Sequence, residues 1–178
     1  MERKRKKTNP RRIPARREDF DKAAVSATNA ASGDTWALFY SVLWDKHGFD
    51  LDSLARLWER VSKVSREIDE GSRDASRMMW ELERKCGVSF PSGPFERRGA
   101  GWTEAEIRRA KRWAKRMAES AAWVIYLTAL CEEEAPDGDT LRQICEEVFY
   151  LAGSVREGFV TVEDLRGTLL EEAKIQLV

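Results

Sequence analysis

At 178 residues, 42% of them apolar and seven of them Trp, the chain suits one ordinary domain or two small ones with an unusually aromatic core. Charge balances overall but not locally: residues 1–18 hold nine Lys or Arg against two Glu, which leaves an acidic remainder. Three cysteines with no CxxC or Cys/His spacing argue against a disulfide framework, no apolar stretch follows the basic start as in a signal peptide, and the longest apolar run, WALFYSVLW, is about half of what spans a bilayer. The expectation is a soluble cytoplasmic protein with reduced thiols and no membrane partner.

Residues 1–16 read as a basic flexible arm. A long helix follows from about Arg17 to Asp45, and SATNAASGDT (26–35), with Gly33 among poor helix formers, predicts a kink or break in it. The turn WDKHGFD leads to Asp50 and Asp52, whose carboxylates can accept from the free amides of a second helix with Leu54, Leu57, Trp58 and Val61 on its buried stripe. That helix ends near Gly71, and a third, capped by Asp74, carries Met78 and Leu82. GVSF (87–90) is too short for more than a docking segment or a two-strand bridge. PSGPFERRGAG (91–101), with two Pro and three Gly, is a boundary.

After the boundary the pattern starts again. A shift of 87 residues lays 15–90 over 102–177 without a gap and pairs Trp36 with Trp123, Leu43 with Leu130, Asp50 with Asp137, Leu54 with Leu141, Gly71 with Gly158 and Leu82 with Leu169. Conservative pairs such as Phe39/Tyr126 and Leu57/Ile144 lie between them. Matches fall on apolar faces and at turns, and keeping turns in register is what duplication, not shared helicity, produces. Thr103 with Glu106 suggests a capping box for the second long helix, and Thr161 with Asp164 caps the last one. The expected fold is all-α: two homologous three-helix units, 17–90 and 102–178, joined by 91–101 and packed as a pseudo-dimer, because under 90 residues a unit buries limited surface alone.

NPRRIP (9–14), WDKHGFD (44–50), LARLWERV (54–61) and EGFVTVEDLRGTLLEEAKIQL (157–177) together resemble a group of small, uncharacterised proteins of Firmicutes phages and prophages. In that group a single copy of the unit carries the whole pattern. Here its start lies in the first copy and its end in the second, as a doubled gene would leave them. The resemblance implies a phage accessory protein in the cytoplasm of a bacterial host cell, and it carries no chemistry with it.

Catalytic equipment is not legible. His47 is the single His, its repeat counterpart is Glu134, and it reads as a solvated turn residue. The runs Glu132–Glu134, Glu146–Glu147 and Glu171–Glu172 read as solvated helix faces, because neighbouring carboxylates on a helix diverge. No enzyme, metal or cofactor is expected.

Three binding readings remain. The repeats exchange bulk in register, Trp44 for Cys131 and Trp58 for Cys145, which suggests an asymmetric cavity at the seam walled by Trp36, Tyr40, Trp123 and Tyr126. Arg11, Arg12, Arg97 and Arg98 would stand at its mouth for phosphates. Such a site fits an inhibitor of antiviral defence that sequesters a nucleotide-type signal or a host defence protein such as a CRISPR effector. Alternatively, the arm and a basic face of Arg108, Arg109, Lys111, Arg112, Lys115 and Arg116, roughly 12–15 Å long, would hold nucleic acid. The third reading is a structural assembly adaptor. The chain is expected to be a monomeric pseudo-dimer or a homo-oligomer.

Overall fold

The computed structural model describes residues 17–91 and 104–172, and among them every regular element is a helix: α1 (Arg17–His47), α2 (Leu51–Asp69), α3 (Ala75–Cys86), α4 (Glu104–Glu133), α5 (Gly138–Glu157) and α6 (Val162–Glu172). The first residues of α1, α2 and α3, moved on by 87, are the first residues of α4, α5 and α6, and the last residues agree to within one. The arm 1–16, residues 92–103 and the tail KIQL lie outside the described residues.

Local chemistry places the boundaries. Asp50 accepts from the Ser53 amide at 2.9 Å and Asp137 from the Thr140 amide at 2.7 Å, so α2 and α5 begin on the same cap. Asp74 accepts from the Ser76 amide at 2.8 Å at the start of α3. At α6 the Asp164 amide donates to Thr161 Oγ1 at 3.1 Å while Asp164 Oδ2 accepts from the Thr161 amide at 2.9 Å, a reciprocal capping box. Gly158, at φ 80°, closes α5 in the left-handed conformation. The box expected at Thr103 falls outside the described residues.

No break interrupts 26–35. α1 runs unbroken through Gly33, where an added Cβ would lie 2.9 Å from Arg166 Nη2. The glycine admits the Arg166 side chain of α6, Arg166 pairs with Asp34 at 3.7 Å, and this packing overrides weak propensity. Every residue from Thr35 to Leu43 is buried, so the centre of α1 is enclosed on all sides.

The helices pack across the halves. The closest backbone neighbours of α1 are α4, α5 and α6, and those of α4 are α1, α2 and α3. Each long helix is therefore covered by the short helices of the other half. Within the first half, α1 reaches α2 through long side chains, as where the Tyr40 hydroxyl donates to the Leu54 carbonyl at 3.1 Å. The core runs along this exchange: Phe39, Tyr40 and Leu43 meet Leu127 and Leu130, and Leu54, Leu57, Leu82, Leu141, Ile144 and Leu169 close over them. GVSF forms no strand. It docks through buried Phe90, whose amide donates to Glu83 Oε1 at 3.0 Å.

Candidate functional site

The four aromatic residues expected to wall a cavity do converge, as solid core. Phe39 stacks on Tyr126 with ring centroids 5.4 Å apart and 16° between planes, and Trp123 meets Phe39 edge-on at 5.0 Å. Trp36 lies against Tyr40 at 4.4 Å, and Tyr40 stands edge-on to Tyr126 at 6.4 Å. All four candidates are at most 8% exposed, and burial pushes the Tyr40 and Tyr126 phenols well above their ordinary value. Rings fill the space where a ligand was expected. Arg11, Arg12, Arg97 and Arg98 lie outside the described residues.

The asymmetry is displaced to one side of the seam. Trp58, expected on the buried stripe of α2, is 50% exposed; its counterpart Cys145 is fully buried. Beside Trp58 an open groove of about 360 Å³ runs along α2, lined by Trp58, Val61, Ser62, Ser65, Arg66, Asp69 and, from α4, Tyr126. The α2 positions are three or four apart and form one helical stripe. At the position of Ser62 the second half has Phe149, whose ring covers Trp123 at 4.3 Å and 21°. The same stripe there replaces Ser65, Arg66 and Asp69 by Ala152, Gly153 and Arg156, and Phe39 stands where Tyr126 does. Trp36, 87 positions before Trp123, is met instead by Trp58, edge-on at 6.2 Å, so a ring lies against that indole in both halves, from a different position in each. No described residue hydrogen-bonds the Tyr126 hydroxyl, although the residue is only 2% exposed. Trp58 is legible in the sequence as a bulk exchange with Cys145.

The basic candidates stand together on the first half of α4, opposite buried Ala110, Ala114 and Ala118. Arg109 pairs with Glu106 at 3.0 Å and Lys115 with Glu119 at 3.7 Å. Arg108, Lys111, Arg112 and Arg116 are exposed on the same face.

Two expectations about charge are overturned. His47 is not solvated: its side chain is 13% exposed and Nε2 lies 2.7 Å from Glu147 Oε2. Glu132, Glu133 and Glu134 are not a free face either. Arg56 reaches Glu133 at 3.3 Å and Glu134 at 3.7 Å, Arg60 reaches Glu133 at 3.5 Å, and Arg73 grips Glu132. Carboxylates at a helix C-terminus oppose the helix dipole, and these arginines offset that cost. The two corners correspond with reversed sign: Lys46 pairs with Glu147 at 3.8 Å where, 87 positions away, Glu133 pairs with Arg60. Partial burial pulls the Glu147 carboxyl upward, but the His47 and Gln143 hydrogen bonds with Lys46 outweigh it and hold it below its usual range.

The three cysteines, distant in sequence, come together where α3, α4 and α5 meet. Cys86, whose thiol donates to the Leu82 carbonyl at 3.0 Å, and Cys145 are buried, and Lys85 Nζ is 3.5 Å from Cys131 Sγ. Burial raises the Cys145 and Cys131 thiols, which keeps them protonated and poorly nucleophilic. Among the described residues no group of three His, Cys, Asp or Glu is arranged to hold a metal ion, and no helix is long and apolar enough to cross a membrane. No family model, curated protein or solved structure matches the chain.

Proposed function

We propose that this chain is a non-enzymatic binding protein, a phage accessory factor that works in the cytoplasm of a bacterial host and inhibits antiviral defence by sequestering one of its components, a nucleotide-type signal or a defence protein. The observation that carries a binding role is the one-sided groove at Ser62, bordered by an indole and by unpaired polar side chains. Ion pairing between halves occupies other charged groups, His47 and Glu132–Glu134 among them. The phage context comes from the resemblance of the sequence motifs. The equal spacing of helix starts supports an internal duplication, and the exchanged packing of α1 and α4 supports a pseudo-dimer made within one chain. Isothermal titration against cyclic and ADP-ribose-derived nucleotides, with pull-downs from host lysate, tests the role. Saturable binding or a specific partner is the expected result, and neither would refute it.

A second reading rests on the basic face of α4. There Lys111, Arg112 and Arg116 are exposed on one side of the helix and pair with no acid among the described residues. Under that reading a DNA or RNA duplex binds with steep salt dependence, and Lys111→Glu with Arg112→Glu and Arg116→Glu abolishes binding. Binding that persists in 0.5 M salt would argue against it.

A further inference from the structure

We infer that the face joining residues 17–91 to residues 104–172 carries a charge code, and that the partner it fits is the unlike half of this chain, whether its own or that of a second copy. The inference rests on the pseudo-dimer reading above and adds which halves can pair.

Apolar burial does not choose between the halves. The closest backbone packing all joins one half to the other: α1 to α4, α5 and α6, α2 to α4, and α3 to α4 and α5. The buried residues behind it are much the same in both, with Trp36 matched by Trp123, Leu54 by Leu141 and Leu82 by Leu169. The hydrophobic effect is non-directional, so two first halves, or two second halves, would bury a similar surface. A different kind of contact has to exclude them.

The charged corners supply it. At one, between α1 and α5, His47 lies 2.7 Å and Lys46 3.8 Å from the Glu147 carboxylate, to which Gln143 donates at 3.2 Å. At the other, between α4 and α2, Glu133 meets Arg56 at 3.3 Å and Arg60 at 3.5 Å, and Glu134 meets Arg56 at 3.7 Å. Lys46, His47, Arg56 and Arg60 of the first half have Glu133, Glu134, Gln143 and Glu147 as their counterparts 87 positions on. Two first halves would therefore set Lys46 against Arg56 and Arg60 at both corners, with Asp45 as one carboxylate in place of the three at Glu132–Glu134. Two second halves would set Glu133 and Glu134 against Glu147 at both. His47, Glu133 and Glu147 are mostly buried along their side chains, so salt screens such repulsion little. Like charges brought together in this way suppress wrong partners. Unlike halves of two copies meet the same corners as the halves of one chain, and can exchange reciprocally without any new contact. Linkage within one chain, equivalent to roughly millimolar concentration, favours the monomer.

The test uses two full-length variants, each of which gives both halves the same corner residues. The acidic variant carries Lys46→Glu, His47→Glu, Arg56→Gln and Arg60→Glu. The basic variant carries Glu133→Lys, Glu134→His, Gln143→Arg and Glu147→Arg. Each substitution installs the residue found 87 positions away. Alone, either variant should melt at least about 5 °C below the unchanged chain by circular dichroism, or fail to fold. Mixed in urea and refolded together, the two should form a 1:1 dimer of twice the chain mass by light scattering, with most of the lost melting temperature restored. A variant that melts with the unchanged chain overturns the charge code and leaves the pseudo-dimer reading standing. Lowered melting that mixing does not restore, with no dimer formed, overturns the exchange between copies.

Discussion

Phe39 stacks on Tyr126, the residue 87 positions further along the chain, with ring centroids 5.4 Å apart. Both residues are buried, and the pair joins α1 to α4, the two helices that pack most extensively on each other. Phe39→Ala should therefore cost about 3–5 kcal/mol in urea unfolding, the range of large aromatic truncations in packed cores. Tyr126→Phe should leave stability within about 0.5 kcal/mol, because the hydroxyl it removes bonds no described residue.

The reversed corners set up a charge-swap experiment. Glu147→Arg places a cation against Lys46 and His47 and should destabilise the fold by about 1 kcal/mol or more. Adding Lys46→Glu and His47→Glu rebuilds the polarity of the Arg60 corner and should recover most of that loss. Additive losses in the triple variant would show that the correspondence of corners has no energetic content.

Two glycines at close approaches should respond with opposite signs. Gly138 faces the Lys85 carbonyl, which an added Cβ would approach to 2.8 Å, and backbone cannot step aside. Gly138→Ala should cost about 1–3 kcal/mol by forcing α3 from α5. Gly33→Ala meets the mobile end of Arg166 instead, and the gain in helix propensity, up to about 1 kcal/mol, should leave the protein equally or more stable. Thermal melts of both variants measure the contrast.

Acid should unfold the protein through its caps. First-turn amides hold the Asp50 and Asp137 carboxyls below their usual range, the Thr161 hydroxyl and amide do so for Asp164, and Glu147 is lowered in net. Their stabilisation is complete above the unfolded carboxylate value of about 4 and is lost as pH falls through the lower folded values. Asp45 works in the other direction: partial burial, with Glu172 adding to it, raises its carboxyl, so Asp45→Asn should stabilise at neutral pH and lose that advantage in acid. Urea midpoints between pH 7 and pH 3 check both signs.

Thiol chemistry should follow burial. Cys131 is the only partly exposed member of its cluster and should react first with a thiol reagent, while Cys86 and Cys145 wait for unfolding. Equal rates for all three in the native protein would contradict the packing of α3, α4 and α5.

Fold class and helix starts were legible because they are written locally. Asp50, Asp137, Asp74 and Thr161 announce helix starts, Gly158 an end, and the spacing of 87 carries all of them twice. What sequence reasoning lost is tertiary. Gly33 reads as a breaker until Arg166 is seen to occupy the space beside it. His47 and Glu132–Glu134 read as solvated until their partners arrive from the other half, and the cysteines read as scattered because three helices bring them together. Of the candidate site, Trp36, Tyr40, Trp123 and Tyr126 are buried together, Tyr126 also borders the groove beside α2, and Trp58, read from the sequence as part of a buried stripe, is half exposed because burial depends on which helices arrive from elsewhere in the chain.

The most direct measurement is an NMR titration of ¹⁵N-labelled protein with ADP-ribose and with a cyclic dinucleotide, followed at the indole N–H resonances. A functional groove beside α2 requires that the Trp58 resonance and the amides of Ser62, Ser65 and Arg66 move together and saturate while Trp80, on α3, stays still. Shifts confined to Lys111–Arg116, or no saturable shift along α2, would contradict it.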